Sequence, residues 1–136
     1  MSDINDGTVT LAIERELSSP PDQVWRALTD SNLIEQWLMP NDFQLKAGQA
    51  FKLNGDWGTV DCTVLQITPG SQLKYSWVAF GLDSTVTYTL TPVSTGTLLR
   101  VEQAGFKPDQ QQFYDGAKGG WQRFMANLEQ VVASLG

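Results

Sequence analysis

The sequence predicts an α+β domain in which a seven-stranded antiparallel sheet is covered by one long C-terminal helix. Three observations support this fold class. Short apolar runs alternate with polar residues through the middle of the chain, turn signals separate these runs, and the last segment repeats apolar residues every three or four positions. No internal repeat or linker is visible, so we expect a single domain over residues 1–136, with residues 1–7 as a polar, flexible N-terminus.

The first elements are a strand and two short helices. Apolar residues recur with a period of two over Val9–Leu17, which predicts a strand with one buried face. In the following run, "SSPPDQVWRALTD", Ser19 is the expected N-cap and Pro20 the expected first helical residue. A second short helix is expected to begin at Asp30 or Ser31.

Six further strands are expected in the middle of the chain. Their alternating apolar residues are Phe43 and Leu45; Phe51 and Leu53; Val60, Cys62 and Val64; Leu73, Tyr75 and Trp77; Val86, Tyr88 and Leu90; and Leu99 and Val101. Turn signals at Asn54-Gly55 and Pro69-Gly70 separate some of these runs. The spacing is typical of an antiparallel meander.

The last segment has the strongest periodicity and predicts one long amphipathic helix. Its apolar stripe consists of Phe113, Ala117, Trp121, Phe124, Leu128, Val131 and Leu135. Gly119 and Gly120 precede Trp121, although each glycine in a helix interior costs about 1 kcal/mol relative to alanine. We expect the missing side chains either to admit a neighbouring strand or to open space near the mouth of a cavity.

Composition and charge exclude several classes of function. The net charge of -6 disfavours nucleic acid and anionic membranes as partners. The chain has no histidine, which removes the usual base at neutral pH and the commonest metal ligand, so we expect no metal and no cofactor. The N-terminus lacks the pattern of a secretory signal and no apolar run is long enough to span a bilayer, so we expect the cytoplasm.

Two runs, "PPDQVWRALTDSNLIEQW" and "GF…GGWQRFMANL", carry a resemblance to a known family. With the strands between them, they resemble the START-like, birch-pollen-allergen-like superfamily, often called SRPBCC. Within it the chain is most similar to the activator-of-Hsp-ATPase-homologue-like branch of small bacterial proteins. The matching residues are Pro21, Val24, Trp25, Ala27, Leu28, Thr29, Asp30, Trp37, Gly58, Val60, Pro69, Leu73, Tyr75, Trp77, Thr97, Leu99, Gly105, Phe106, Gly120, Trp121 and Leu128.

The resemblance covers nearly the whole chain from about residue 8 and implies the helix-grip fold. In that fold a seven-stranded antiparallel sheet wraps around a C-terminal helix and leaves a hydrophobic cavity between them. Members mostly bind apolar small molecules, some relatives are polyketide cyclases or aromatases, and the eukaryotic namesake domain stimulates a chaperone ATPase. Many relatives carry a histidine where this chain has Gln103, so no cavity histidine can be transferred to it.

We therefore expect non-catalytic binding of a hydrophobic, aromatic or polycyclic small molecule, by a monomer or a homodimer. The alternatives are a cyclase- or aromatase-like enzyme and a co-chaperone-like module with an unknown protein partner. The residues expected to line the cavity are Trp37, Phe51, Val64, Tyr75, Trp77, Val86, Tyr88, Val101, Phe106, Gly120, Trp121 and Phe124. Any one of the aromatic residues, and Trp57 with them, could instead be ordinary core. Tyr75 and Tyr88 could turn their hydroxyls toward a ligand oxygen.

No catalytic residue is expected among the charged and reactive side chains. The three acids nearest the strands, Asp56, Asp61 and Asp83, fall in turns or on the outward phase, so we expect them in solvent. Cys62 shares the inward phase of its strand and is expected to be a buried apolar filler. Arg15 interrupts the inward phase of the first strand, and we expect it to be exposed where the strand twists. The alternative is that it faces inward and pairs with a carboxylate or an anionic ligand group.

Overall fold

The computed structural model describes residues 8–135, and the predicted flexible N-terminus lies outside them. This part of the chain is α+β, as predicted, with an open antiparallel sheet and a C-terminal helix. The strands are β1 (Val9–Leu17), β2 (Ala50–Gly55), β3 (Gly58–Thr68), β4 (Gln72–Ala79), β5 (Leu82–Val93) and β6 (Gly96–Phe106). The helices are α1 (Pro21–Thr29), α2 (Ser31–Trp37) and α3 (Gln111–Leu135).

The sheet formed by the described residues has six strands, not the seven predicted. Their order is β1-β6-β5-β4-β3-β2, and every neighbouring pair is antiparallel. β1 pairs with β6 from Val9 opposite Phe106 to Leu17 opposite Thr97. The first and last strands of the chain are therefore neighbours, and β1 and β2 form the two edges.

The predicted strand at Phe43 and Leu45 is absent because side chains satisfy the backbone there. The Asn41 side-chain oxygen accepts a hydrogen bond from the backbone N–H of Phe43 at 3.0 Å. The Asp42 carboxylate accepts one from the backbone N–H of Lys52, on edge strand β2, at 2.7 Å. Such short polar side chains compete with strand pairing. Phe43 joins the core, whereas Leu45 is exposed.

The two short helices meet at Asp30, which ends α1 and caps α2. Its carboxylate accepts a hydrogen bond from the backbone N–H of Asn32 at 2.9 Å, as the predicted start of α2 requires. α1 begins one residue later than predicted, with Pro20 as the N-cap and Pro21 as the first helical residue, so the expected cap at Ser19 was wrong. A residue that precedes a proline is pushed into the extended region, where Pro20 lies.

α3 confirms the predicted long helix and covers one face of the sheet. It packs near β1 and β6 and lies beside α1 and α2. Trp121 and Leu128 of the predicted stripe are fully buried, as is Met125, whereas Phe113 is exposed. No helix within residues 8–135 is long and apolar enough to cross a bilayer.

Arg15 combines the two placements that we considered, because its side chain is partly exposed and is also paired with a carboxylate. It lies opposite Leu99 in the register of β1 and β6, on the face that α3 covers. Its guanidinium donates to the Glu129 carboxylate of α3 at 2.7 Å, and the two side chains are 39% and 44% exposed. Because water reaches both groups, this pair contributes at most about 1 kcal/mol and mainly fixes where α3 meets β1.

Candidate ligand-binding site

A continuous row of aromatic rings crosses the interior between the sheet and α3. We call it the ring row, and its members in order of contact are Phe43, Phe51, Tyr75, Tyr88, Trp121 and Phe124. Neighbouring ring centroids lie 5.0, 5.0, 5.6, 6.0 and 5.6 Å apart, within the contact range of aromatic pairs. The sheet supplies the middle of the row because Phe51, Tyr75 and Tyr88 occupy inward positions of β2, β4 and β5.

The structure brings most of the twelve predicted lining residues to this row. Phe51, Tyr75, Tyr88, Trp121 and Phe124 are members of it, and only Phe124 is more than slightly exposed. Two further tryptophans flank it, Trp37 beside Tyr88 and Trp77 beside Trp121, and Gly120 precedes Trp121 on α3.

The remaining four predicted lining residues divide into two groups. Val64 and Val86 lie opposite Tyr75 on the two neighbouring strands, and Val101 lies opposite Tyr88, so all three valines form the floor beneath the row. Phe106 lies apart, because its ring packs on Tyr114 near the start of α3 at 5.4 Å.

The hydroxyl groups of Tyr75 and Tyr88 form a buried pair at the centre of the row. Their oxygens are 2.5 Å apart, and the two residues are 3% and 1% exposed. Burial raises the pKa of both hydroxyls well above the usual value for tyrosine. Both groups are therefore neutral at physiological pH and act as hydrogen-bond donors and acceptors rather than as bases.

A second set of buried polar groups holds Trp121 in place. The Trp121 indole N–H donates to the Gln103 side-chain oxygen at 2.8 Å, and the Gln103 amide donates to the Ser84 hydroxyl at 3.0 Å. Ser84 in turn donates to the backbone carbonyl of Trp77 at 2.8 Å. Sequence reasoning missed this role of Gln103, although its inward phase on β6, two residues after Val101, was a usable signal.

The ring row reaches solvent at an open groove of about 320 Å³, which we call the mouth groove. Its lining comes from three separate segments: Glu35, Leu38, Met39 and Pro40; Asn54, Gly55, Asp56 and Trp57; and Arg123 and Phe124. Phe124 therefore belongs both to the groove and to the ring row, and joins solvent to the interior. Apart from Phe124, no residue of the groove was among the twelve predicted, because short-range patterns do not show which segments meet.

Gly120 lies where the ring row meets α3, and the structure leaves room beside it. Gly120 is buried, yet a Cβ added there would meet only the ring of Phe124, at 3.7 Å. No atom of the sheet lies within 4 Å of that position. Of the two predicted roles for the glycines, close approach of a strand is therefore wrong, and the structure shows room for one methyl group in contact with the Phe124 ring.

Trp57 lies at the rim of the mouth groove rather than in the core. It is 54% exposed, and its ring packs on Phe80, which is 63% exposed, with centroids 5.7 Å apart. The Phe80 ring lies over Gly58, where an added Cβ would collide with it. Two tight turns, β2–β3 and β4–β5, thus place a pair of exposed aromatic rings beside the groove.

The interior of the described region contains no charged side chain. Its buried polar residues are Ser84, Thr97 and Gln103, besides the tyrosine pair. The acids Asp56, Asp61 and Asp83 are exposed, as predicted.

Cys62 is buried, and burial raises the pKa of its thiol to about 12, which keeps it protonated as an apolar filler. Within residues 8–135 no three metal-ligating side chains come together.

A second groove, of about 330 Å³, lies on the solvent-facing side of β2, β3 and β4. Its lining includes the cross-strand ion pair between Lys52 and Asp61, 2.7 Å apart, with Thr63 and Ser76 beside it. Apolar groups also line this groove, among them Phe51 of the ring row, Cys62 and Val78.

Comparison with known families agrees with the fold. Residues 18–133 match the model of the family described as activator of Hsp90 ATPase homolog 1-like protein. The chain belongs to this family. No curated protein matches the chain.

Several solved proteins are similar to this chain in sequence and fold. Protein MLL2253 from Mesorhizobium loti is 48% identical, with a TM-score of 0.89 over 93% of this chain and 98% of that one. The solution structure of CalU16 from Micromonospora echinospora is 30% identical, with a TM-score of 0.80 over 90% of this chain and 65% of that one. Protein BH1534 from Bacillus halodurans, at 22% identity and a TM-score of 0.82 over 91% of this chain and 96% of that one, shares the fold.

Proposed function

We propose that this protein binds a hydrophobic small molecule, aromatic or polycyclic, between the sheet and α3, and catalyses no reaction on it. The observation that carries the proposal is the position of Phe124, which lines the mouth groove and contacts Trp121 inside. A ligand that enters at the groove passes polar side chains at the mouth, among them Glu35, Asp56 and Arg123, and meets aromatic surface from Phe124 inward.

Burial of apolar surface supplies the affinity. A ligand of two fused rings that loses about 250 Å² of apolar surface to the protein gains on the order of 6 kcal/mol at 25 cal/mol per Å². Lost translational and rotational freedom offsets part of this gain, which leaves weak to moderate affinity for a small probe. The rings must shift to admit it, and the open position beside Gly120 gives the neighbouring Phe124 ring room to do so.

The composition of the interior supports binding rather than catalysis. A cyclase or aromatase would move protons, and general acid–base catalysis works best with groups whose pKa lies near the operating pH. The buried polar groups here are two tyrosines with raised pKa, a protonated thiol, hydroxyls and one amide. Neither the tyrosines nor the thiol has a pKa near neutral pH.

The proposal is tested with 2-acetonaphthone as the probe, by isothermal titration calorimetry and native mass spectrometry. We expect saturable binding of one molecule per chain to the wild-type protein. Gly120→Leu fills the space beside Phe124 and is expected to weaken binding at least tenfold. Gly119→Leu is the matched control, because a side chain at the neighbouring exposed position meets nothing within 4 Å.

Both variants replace a helical glycine and gain helix propensity alike, so any difference between them reports on the interior. Circular dichroism confirms that each is folded. Absence of saturable binding to the wild type, or equal binding by the two variants, would contradict the proposed site.

A further inference from the structure

The two buried tyrosine hydroxyls carry one proton more than their mutual hydrogen bond can use. Tyr75 and Tyr88 each contribute one O–H, and the single bond between their oxygens consumes one proton. Within residues 8–135 neither hydroxyl has another hydrogen-bond partner. One donor is therefore left without an oxygen or nitrogen acceptor among residues 8–135, at a depth where the two residues are 3% and 1% exposed.

The two tryptophans beside the pair cannot take this proton, and the sulfur of the nearby Cys62 is only a weak acceptor. The indole of Trp121 already donates to Gln103, and the indole of Trp37 donates to the backbone carbonyl of Ala27 at 2.8 Å. An indole N–H is a donor only, so neither tryptophan can accept. The nearby rings of the row offer apolar surface rather than a lone pair.

A buried donor without an acceptor is costly, and native structures rarely keep one without a reason. The penalty for such a group is about 1–3 kcal/mol. Replacing both hydroxyls by apolar groups of the same shape would remove the penalty at almost no loss. The protein nevertheless places the pair at the centre of its ring row.

We propose that the tyrosine pair is a specificity element that selects ligands bearing a neutral carbonyl oxygen on an aromatic body, such as an aryl ketone. The inference rests on the proposed function, because the ligand must first occupy the ring row. The carbonyl oxygen accepts the free hydroxyl proton, and its aromatic body packs against Tyr88 and Trp121. No bond is made or broken.

The interior also explains why the acceptor is neutral. A carboxylate or phenolate oxygen would bring a negative charge into a region with no buried cation among the described residues, and an unpaired buried charge is very costly. A ketone oxygen gains one hydrogen bond and carries no charge. Because burial raises the pKa of both hydroxyls, the donor remains protonated between pH 6 and pH 9.

The experiment compares two probes of similar shape, 2-acetonaphthone and 2-isopropylnaphthalene. The second probe has a methyl group in place of the carbonyl oxygen of the first. Calorimetry gives the affinity for the ketone divided by the affinity for the hydrocarbon. This ratio is measured for the wild type, for the double variant Tyr75→Phe/Tyr88→Phe and for Tyr114→Phe. We expect the ratio to fall about tenfold in the double variant and to stay unchanged in Tyr114→Phe, since Tyr114 packs on Phe106 away from the pair.

The double variant is used because a single substitution leaves one hydroxyl free to donate. It keeps the ring contacts and removes an unsatisfied polar group, so it is expected to fold. Infrared spectra of 2-acetonaphthone with a ¹³C carbonyl give a direct readout. The carbonyl stretch should move to lower wavenumber on binding to the wild type and keep its apolar-solvent value in the double variant.

The outcomes separate this inference from the proposed function. If both probes bind and the affinity ratio is the same in the wild type and the double variant, the specificity element is refuted while ligand binding stands. If neither probe binds the wild type, both proposals fail. A lowered ratio without a shifted carbonyl stretch would also overturn the assignment of the hydrogen bond.

Discussion

Gln103 shows how one buried amide can hold three elements together. It accepts from Trp121 of α3 and donates to Ser84 of β5, while its own backbone belongs to β6. Each of these hydrogen bonds contributes about 1 kcal/mol, but leaving any of the groups unpaired costs more. The orientation of the Trp121 ring, and with it the inner half of the ring row, therefore depends on a polar residue in an otherwise apolar surface.

The buried thiol of Cys62 gives a pH-dependent stability that can be measured. Its pKa is about 12 in the folded protein, chiefly because burial disfavours the thiolate, against an ordinary value of 9.0. A raised folded-state pKa stabilises the protein fully below pH 9, and that contribution is lost between pH 9 and pH 12. From pH 9 to pH 10 we expect the free energy of unfolding to fall by about 1 kcal/mol through this group.

Urea denaturation at both pH values, in the wild type and in Cys62→Ala, checks this expectation. The variant is less stable at all pH values because the substitution leaves a small cavity. Its free energy of unfolding should fall less steeply with pH, because the thiol no longer contributes to the slope. The tyrosine pair also lowers stability as the pH approaches 10, because burial raises the pKa of both hydroxyls, but it does so in both proteins and cancels in their comparison. An equal slope in the two proteins would show that the thiolate is not disfavoured in the fold.

At the scale of elements, local patterns predict strands and helices where no distant group competes for the backbone. Six strands and α3 follow directly from alternation and from the three-to-four spacing. The region around Phe43 shows the same kind of alternation, but Asn41 and Asp42 take its hydrogen bonds. Asp42 accepts from Lys52, ten residues away, and this partner cannot be read from a short window.

The glycines of α3 allow a stability prediction for a single element. Gly116 and Gly119 are exposed, and a Cβ at either position would meet nothing within 4 Å. Replacing either by alanine removes the backbone entropy cost of glycine and introduces no collision. We expect Gly116→Ala and Gly119→Ala to raise the free energy of unfolding by about 0.5–1 kcal/mol each, measured as a higher urea midpoint at constant slope.

Gly96→Ala serves as the opposite control for these helical substitutions. Gly96 opens β6 with φ +148°, and a Cβ there would collide with the backbone carbonyl of Leu17 on β1. The same chemical change should therefore lower stability in the sheet and raise it in the helix. If Gly116→Ala or Gly119→Ala lowered stability as Gly96→Ala does, the helix would have a contact partner at that position.

At the scale of the whole molecule, the candidate site is a product of assembly. The inward phases of β2, β4 and β5 and the stripe of α3 can be read from the sequence, and they account for most of the ring row. The mouth groove cannot be read from the sequence, because Met39, Gly55 and Phe124 come from three segments that meet only after the chain folds. The pairing of the two tyrosine hydroxyls likewise depends on the register of β4 with β5, which places Tyr75 opposite Val86 and one diagonal step from Tyr88.

A ligand held between the sheet and α3 should stabilise the whole fold, because both layers contact it. At a free concentration one hundred times its dissociation constant, a ligand that binds only the folded state adds about 2.7 kcal/mol to the free energy of unfolding. For a chain of this length that corresponds to a rise in Tm of roughly 9 °C. Differential scanning calorimetry with 2-acetonaphthone measures this rise. Gly120→Leu, with binding weakened at least tenfold, should show at most about half of this rise at the same probe concentration, whereas Gly119→Leu should match the wild type. An equal rise in both variants would place the probe elsewhere, for example in the groove over β2, β3 and β4.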